Sequence, residues 1–166
     1  LDLAAELKEK KKNGVPHEMH KGKNIALITD AGTPAISDPG EVLVRRCHEA
    51  GVTVTSLPGA CALVTALSVS GFPARRFVFE GFLPGETKER KAILADLTAE
   101  RRTIILYEAP HRLVKTLQQL QEALGGRRIC ICRELTKLHE EAVWTTLPEA
   151  VIYWTEHEPR GEYVLI

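Results

Sequence analysis

Apolar and polar positions in the first half of the chain are grouped in a way that predicts alternating strands and helices. The apolar block Ile25–Thr29 is typical of a buried strand, and a helix is predicted over Pro39–Ala50, ended by Gly51. A second strand is predicted over Val52–Leu57 and a second helix over Ala62–Ser70. Because strands joined by a helical crossover pair in parallel with a right-handed connection, a parallel sheet is expected here.

The pattern changes after Pro73, where strands and helices follow one another less evenly. The clearest helix carries a stripe of leucines at Leu113, Leu117, Leu120 and Leu124. The elements predicted in this half are strands over Arg76–Phe82, Thr103–Tyr107, Arg128–Leu135, Glu140–Thr146 and Tyr163–Ile166, helices over Lys88–Glu100 and His111–Leu124, and a short helix from Leu147. The sequence therefore predicts an α/β fold of two domains. These are a truncated parallel-sheet N-terminal domain over residues 1–73 and a mixed-sheet C-terminal domain over residues 74–166.

Charge limits the kinds of partner that the chain can hold. Its 166 residues include 22 Lys and Arg and 22 Asp and Glu, so the net charge is zero, and 44% apolar residues suffice for a core. A net charge of zero argues against binding of nucleic acid by bulk charge alone and does not exclude a local basic patch. The pairs Arg101-Arg102 and Arg127-Arg128 are either solvent-facing strand starts or phosphate contacts.

Cysteine and histidine spacing predicts no metal site. The four cysteines lack zinc spacing, and Cys130 and Cys132 are expected on one face of a strand, as buried free thiols. His17 and His20 are three residues apart, but their Pro- and Gly-containing surroundings favour a loop after the helix predicted over Leu1–Lys12. No apolar stretch is long enough to cross a bilayer and no secretory signal is visible, so a cytoplasmic protein without a membrane partner is expected.

Two loops rich in glycine and proline follow the first two predicted strands. One runs from Asp30 to Gly40, and the other is Pro58-Gly59-Ala60-Cys61. Open α/β sheets bind ligands at the carboxyl ends of their strands, so both loops are candidate ligand contacts at one edge of the sheet. The alternative for the first loop is a tight strand–helix connection, with Ser37 or Asp38 capping the helix and Pro39 in its first position.

The motifs present do not belong to an ordinary dinucleotide or nucleoside triphosphate site, because Gly-x-Gly-x-x-Gly and Gly-Lys-Ser/Thr are both missing. The elements that stand out instead are the Asp30–Gly40 loop, Leu57-Pro58-Gly59-Ala60-Cys61-Ala62, Gly81-Phe82-Leu83-Pro84, Tyr107-Glu108-Ala109-Pro110-His111-Arg112, and the run from Arg133 to Glu141. In this order they resemble the tetrapyrrole methylase superfamily, and within it the ribosomal RNA small subunit methyltransferase I family. The resemblance begins near Asn24 and lacks the family's opening strand and Pro-Ile-Gly-Asn loop.

The resemblance implies a donor, a substrate and a set of binding residues. It implies methyl transfer from S-adenosylmethionine to the ribose 2′-hydroxyl of a cytidine in 16S rRNA of the small ribosomal subunit. It also implies a homodimer and a cofactor held between two domains. The cofactor-binding residues implied are Asp30, Gly32, Thr33, Pro34, Ile36, Cys61, Ala62, Tyr107, Glu108 and Ala109.

A ribose 2′-hydroxyl is a poor nucleophile at neutral pH, so a base or a nearby cation is expected beside it. Lys137, Glu108 and His139 are the catalytic candidates, and their pattern leaves open which of them is the base. A solvated charge cluster is the alternative for the run that contains Lys137. Further RNA contacts are expected from Arg112 at the cleft and from Lys88, Arg90 and Lys91 at its rim.

Two other functions remain open at this point. One is methylation of a tetrapyrrole ring carbon with the same donor, which predicts a wide apolar cleft. The other is a non-catalytic fragment that dimerises or binds a partner. The polar clusters Tyr107–Arg112 and Lys137–Glu141 favour the RNA substrate.

Overall fold

The computed structural model of the protein describes residues 23–166. The chain divides into two units, Leu1–Cys61 and Ala62–Ile166, so the described part of the first is residues 23–61. The helix predicted over Leu1–Lys12 and the loop with His17 and His20 lie outside the described residues. The domain boundary expected after residue 73 stays a prediction.

Helix α1 (Glu41–Glu49) is the regular element of residues 23–61. Its buried residues Leu43 and Cys47 are one helical turn apart, which gives the helix one apolar face. The predicted end is confirmed, because the Gly51 N–H donates to the His48 carbonyl at 3.1 Å. The predicted side-chain cap is wrong: Gly40 is the N-cap and has no side chain to accept a bond.

The strands predicted over Ile25–Thr29 and Val52–Leu57 are not formed, and residues 23–61 contain no strand. Both segments are largely exposed, with Ile28 and Leu57 each 83% accessible. A strand exists only where a neighbour completes its backbone hydrogen bonds, and the described part of this unit supplies no such neighbour. The α/β class is confirmed by the second unit, whereas the parallel sheet expected here is not.

The second unit contains one five-stranded mixed sheet. Its strands are β1 (Phe77–Phe82), β2 (Thr103–Glu108), β3 (Arg128–Arg133), β4 (Glu141–Thr146) and β5 (Tyr163–Leu165). The strand order is β1-β2-β5-β3-β4, with β1 and β2 parallel and every other neighbouring pair antiparallel. The short strand β5 therefore joins the two longer halves of the sheet.

Helices cover both faces of this sheet. They are α2 (Ala62–Ser70), α3 (Thr87–Thr98), α4 (Leu113–Leu124) and α5 (Leu147–Glu156), and a 3₁₀ turn, Pro110–Arg112, precedes α4. The main core lies on the face with α4 and α5, where the predicted stripe residues Leu113, Leu117 and Leu120 are buried. Cys130 and Cys132 belong to the opposite face, with their sulfur atoms 3.8 Å apart, as free buried thiols. Both the leucine stripe and the shared face of the cysteines are confirmed.

Helix α5 starts with a capping box that the sequence analysis did not identify. The Thr146 hydroxyl accepts from the Glu149 N–H, and the Glu149 carboxylate accepts from the Thr146 N–H at 3.0 Å. Thr146→Ala is expected to lower the free energy of unfolding by about 1 kcal/mol, measured by urea denaturation. Thr155→Ala, which removes an exposed hydroxyl in the last turn of the same helix, should change it by less than about 0.5 kcal/mol. Equal losses in both variants would contradict the capping role.

Within residues 23–166, no helix is both long enough and apolar enough to cross a membrane.

Candidate functional site

Strands β1, β2 and β3 run in the same direction, because β2 and β3 are both antiparallel to β5. Their carboxyl ends therefore lie along one edge of the second unit. This edge carries the predicted segment Tyr107–Ala109 after β2 and the predicted residues Lys137 and His139 after β3. The structure thus brings to one edge two segments separated in sequence.

Tyr107 links the end of β2 to the start of α2. Its hydroxyl accepts a hydrogen bond from the Leu63 N–H at 3.0 Å, in the first turn of a helix that begins at Ala62. Its ring makes edge contacts with Phe79 and Phe82, with centroids 4.9 and 5.6 Å away. Two predicted donor-binding residues, Ala62 and Tyr107, are therefore held near each other by a defined contact.

Glu108 is directed into the interior, and its side chain is 0% exposed. Its carboxylate accepts from the Ala109 N–H at 2.9 Å and from the Thr116 hydroxyl, and it lies 3.4 Å from Nε of Arg112. A carboxylate with these partners fixes the backbone that follows β2. The structure therefore assigns Glu108 a supporting role: it holds the backbone at the carboxyl end of β2.

Arg90 on α3 completes this buried network. It donates to the Thr116 hydroxyl and to Gln119 Oε1, both at 2.6 Å, and its second terminal nitrogen reaches the Leu83 and Pro84 carbonyls at 3.5 and 3.4 Å. Burial, then the charge of Arg112, lowers the pKa of Arg90, while Glu108 raises it. The guanidinium stays charged, because its ordinary pKa lies far above neutral pH.

This network corrects the expectation of an RNA contact at Arg90, which is only 6% exposed and does not lie at a rim. Arg112 is 29% exposed and is tied to Glu108 and the Leu83 carbonyl, so its expected RNA contact stays a prediction. The burial of Arg90 could have been predicted from the sequence, because Arg90 shares one helical face with Leu94 and Leu97. A charged residue in an apolar stripe is a candidate for a buried ion pair.

Lys137 is held between two carboxylates at the same edge. Its ammonium donates to Glu134 at 3.0 Å and to Glu162 at 2.8 Å. These hydrogen bonds, first the one to Glu162 and then the one to Glu134, raise the pKa of Lys137. The hydrogen bond from Lys137 is in turn the largest cause of the lowered pKa of Glu134. Lys137 is therefore a fixed cation, half exposed to solvent.

The loop after β3 is built on an unusual backbone. Glu134 and Thr136 have positive φ angles of 47° and 65°, which ends the strand at Arg133 rather than at the predicted Leu135. Gly161, which lies against the Glu134 side chain, has a φ of +85°, a backbone conformation that favours glycine. His139 is exposed at the tip and has no hydrogen-bond or ion-pair partner among residues 23–166.

In the first unit, the two glycine- and proline-rich loops touch each other. The Thr33 hydroxyl donates to the Ala60 carbonyl at 2.8 Å, and a Cβ at Gly32 would be 3.8 Å from that oxygen. Gly32 has a φ of +75°, so the turn itself depends on glycine. The two loops therefore lie together, but the sheet edge at which they were expected is not formed by residues 23–61.

The other predicted donor-binding residues of the first unit differ in their exposure to solvent. Asp30 and Ile36 are exposed, whereas Pro34 and Cys61 are half-buried. The Ile36 N–H donates to the Thr33 carbonyl at 3.4 Å, which closes the turn around Pro34. The described loop therefore exposes the Ile36 side chain beside a backbone turn that is closed by a hydrogen bond.

Residues 3–151 match the profile of a family described as Tetrapyrrole (Corrin/Porphyrin) Methylases. The chain belongs to this family. Its loops at the ends of β1, β2 and β3 are therefore those of a tetrapyrrole methylase fold, as the resemblance in the sequence predicted.

Two relatives within the methylase family are similar over most of the chain. Ribosomal RNA small subunit methyltransferase I of Synechocystis sp. is 52% identical over 150 residues, covering 90% of this chain and 54% of the relative. The protein of the same name from Haemophilus influenzae is 49% identical over 153 residues, with the same shares. The chain spans about half the length of these curated relatives.

Solved methylase structures share the fold at lower identity. The methyltransferase CobJ superposes with a TM-score of 0.67 at 20% identity, covering 89% of this chain and 66% of that one. Uroporphyrin-III C-methyltransferase from Thermus thermophilus, complexed with S-adenyl homocysteine, gives a TM-score of 0.52 at 21% identity. The match covers 81% of this chain and 62% of that one. The predicted donor, S-adenosylmethionine, is confirmed as the methyl donor of the family.

Proposed function

We propose that the protein methylates the ribose 2′-hydroxyl of a cytidine in 16S rRNA of the small ribosomal subunit, with S-adenosylmethionine as donor. The observation that carries this proposal is the 49–52% identity to ribosomal RNA small subunit methyltransferase I proteins across 90% of the chain. The fixed cation Lys137 at the edge of β2 and β3 supports it, because RNA brings negative charge and an acceptor oxygen to that edge.

The described residues fit a small ligand that needs close backbone contact. Gly59 and Ala60 are exposed, and among residues 23–166 a Cβ at Gly59 would meet only the Leu57 carbonyl, at 4.0 Å, so these residues leave space beside the loop. In the first unit we assign donor contacts to Asp30, Gly32, Thr33, Pro34, Ile36 and Cys61. In the second unit we assign them to the backbone of Tyr107 and Ala109 and to Ala62. When bound, the donor supplies a methyl group already activated by the sulfonium charge.

The protein's contribution to the transfer is mainly positioning and charge. Glu108 and Arg90 hold the backbone after β2 and β1, which fixes where a donor contacts Tyr107 and Ala109. Lys137, a cation at neutral pH, stabilises negative charge that develops on the ribose oxygen. Of the three catalytic candidates, His139 is then assigned as proton acceptor, because Glu108 is buried and Lys137 is protonated.

The direct test uses labelled S-adenosylmethionine and small ribosomal subunits from a strain that lacks the modification. We expect label on a cytidine ribose of 16S rRNA, with the Synechocystis relative as positive control. Free uroporphyrin-type tetrapyrrole is tested in parallel. Label on the tetrapyrrole and not on the subunit would overturn the RNA proposal in favour of ring methylation. Absence of donor binding in calorimetry would favour the non-catalytic alternative.

Gly32→Val is expected to weaken S-adenosylmethionine binding at least about tenfold, or ~1.4 kcal/mol, in calorimetry. A β-branched residue does not adopt a φ of +75° without strain, so the turn that contacts Ala60 must shift.

The matched control for this loop is Gly51→Val. Gly51 has a similar φ of +68°, and an added Cβ would have no atom of the described residues within 4 Å. It follows α1, outside the candidate site. It should carry the same backbone strain with unchanged donor affinity. Equal donor affinity in folded Gly32→Val and in the parent chain would contradict the loop's placement in the donor site.

We also propose a homodimer in the cytoplasm, as implied by the resemblance. Light scattering at micromolar concentration should give twice the mass of the 18.4 kDa chain. A monomer at that concentration would contradict it.

A further inference from the structure

The loop between β3 and β4 holds an apolar side chain in solvent at the edge of the candidate site. Leu138 is 92% exposed, the highest value among the large apolar residues that the structure describes. It lies between Lys137 and His139, the two residues proposed to act on the acceptor ribose. Isolated exposed apolar side chains are ordinary on protein surfaces, so the surroundings of Leu138 decide whether it has a role.

The backbone that carries Leu138 is fixed by two successive turns. The Lys137 N–H donates to the Glu134 carbonyl at 3.0 Å, which closes the first turn. The Glu140 N–H donates to the Lys137 carbonyl at 3.2 Å, which closes the second turn and places Leu138 and His139 at its two corners. Turn corners favour Gly, Pro, Asn, Asp and Ser, so turn geometry does not account for a leucine at this position.

The base of this loop is anchored to the segment that precedes β5. The Glu134 N–H donates to the Glu162 carbonyl at 3.0 Å, and the Glu162 N–H donates to the Glu134 carboxylate at 2.9 Å. The Lys137 ammonium joins the carboxylates of both residues, at 3.0 and 2.8 Å. A loop that is closed at its base in this way loses little further conformational entropy when its tip contacts a ligand.

The charge of the loop indicates which part of an RNA its tip can meet. Residues 133–141 together with Glu162 carry four carboxylates and two cations, so the loop and its anchor are net negative. The cations, Arg133 and Lys137, are already paired with carboxylates of the same group. A net negative loop repels phosphate, so its apolar tip is suited to the uncharged faces of bases and riboses.

We infer that Leu138 inserts beside the base of the nucleotide that neighbours the acceptor cytidine and loosens its stacking, which frees the acceptor ribose to reach the donor. This inference rests on the proposed function. Consecutive Cα atoms are about 3.8 Å apart and stacked bases about 3.4 Å apart, so Leu138 lies one base step from the ribose at His139. Leucine is among the apolar side chains that enter base steps and unstack them.

The test measures transfer of labelled methyl to small ribosomal subunits that lack the modification, at saturating S-adenosylmethionine. Leu138→Ala is expected to lower kcat/KM for the subunit at least about tenfold, because the stacked neighbour then stays in place. Donor affinity in calorimetry and the midpoint of urea denaturation should not change, since Leu138 contacts neither the donor nor the core.

Matched variants separate an apolar contact from the shape of the turn. Leu138→Met keeps an apolar side chain and should retain most of the transfer. Leu138→Asn suits a turn corner but is polar, so it should lose as much transfer as Leu138→Ala. The control Ile152→Ala removes a 62% exposed apolar side chain from α5 and should leave transfer unchanged.

A second substrate separates unstacking from other contacts with the subunit. In subunits whose 16S rRNA carries a mismatch beside the acceptor cytidine, stacking is already weakened, so the loss in Leu138→Ala should shrink to less than about threefold. An undiminished loss on these subunits would overturn the inference. So would a Leu138→Ala variant that matches Ile152→Ala on unaltered subunits. Failure of the proposed function looks different: the parent chain itself would label no subunit, and the inference would fall with it.

Discussion

Replacing Glu108 by alanine is expected to lower the free energy of unfolding by about 3–5 kcal/mol in urea denaturation. The carboxylate is fully buried, and its removal leaves Arg90 and Arg112 without their negative partner. It also leaves the Ala109 N–H and the Thr116 hydroxyl without an acceptor. Each of these losses carries the desolvation cost of an unsatisfied buried group.

Two variants make this result interpretable. Glu108→Gln keeps an acceptor oxygen and loses the charge, so its loss of stability should be smaller than that of the alanine variant. Glu158→Ala removes a carboxylate from an exposed pair with Arg160 and should leave stability almost unchanged, because water screens that pair. If Glu108→Ala were as stable as Glu158→Ala, the buried network would not support the edge.

Lys137→Ala is expected to lower methyl transfer to the small ribosomal subunit by about 100-fold. The variant removes the cation proposed to stabilise charge on the ribose oxygen. Affinity for S-adenosylmethionine should fall less than about threefold, because no donor contact is assigned to Lys137. The measurements are transfer of labelled methyl and calorimetry with the donor alone.

Conservative and distant changes control for this result. Lys137→Arg retains a cation that Glu134 and Glu162 can hold, so it should recover part of the activity. Arg160→Ala removes an exposed cation from a separate pair and should leave transfer unchanged. A Lys137→Ala variant that loses donor affinity and transfer by equal factors would place Lys137 in the donor site instead.

The second unit was predictable because its elements bury one face each. The leucine stripe of α4 and the neighbouring cysteines of β3 follow helical and strand periodicity, and the structure confirms both. The observed ends of helices and strands differ from the predicted ends by a few residues where backbone geometry determines them. Pro110 adds a 3₁₀ turn before α4, and the positive φ of Glu134 ends β3 early.

The strands of residues 23–61 were not predictable in the same way. Their apolar pattern is that of buried strands, but Ile28 and Leu57 are largely exposed. An apolar pattern indicates which side chains of a segment can be buried. It does not show whether another segment packs against them. Pairing is non-local, so the same pattern gives a strand at β2, whereas Ile25–Thr29 has no partner strand among residues 23–166.

The sequence by itself determined the family and the α/β class, and it indicated the loops proposed for the site. Five short motifs in a fixed order sufficed, because glycine, proline and charged residues at strand ends are constrained by local geometry. The tertiary structure determined the burial and the partners of each charged side chain. It directs Glu108 and Arg90 into the interior and pairs Lys137 with two carboxylates. These outcomes depend on which segments pack together, and the energy of a charge is set by burial and partners rather than by its place in the sequence.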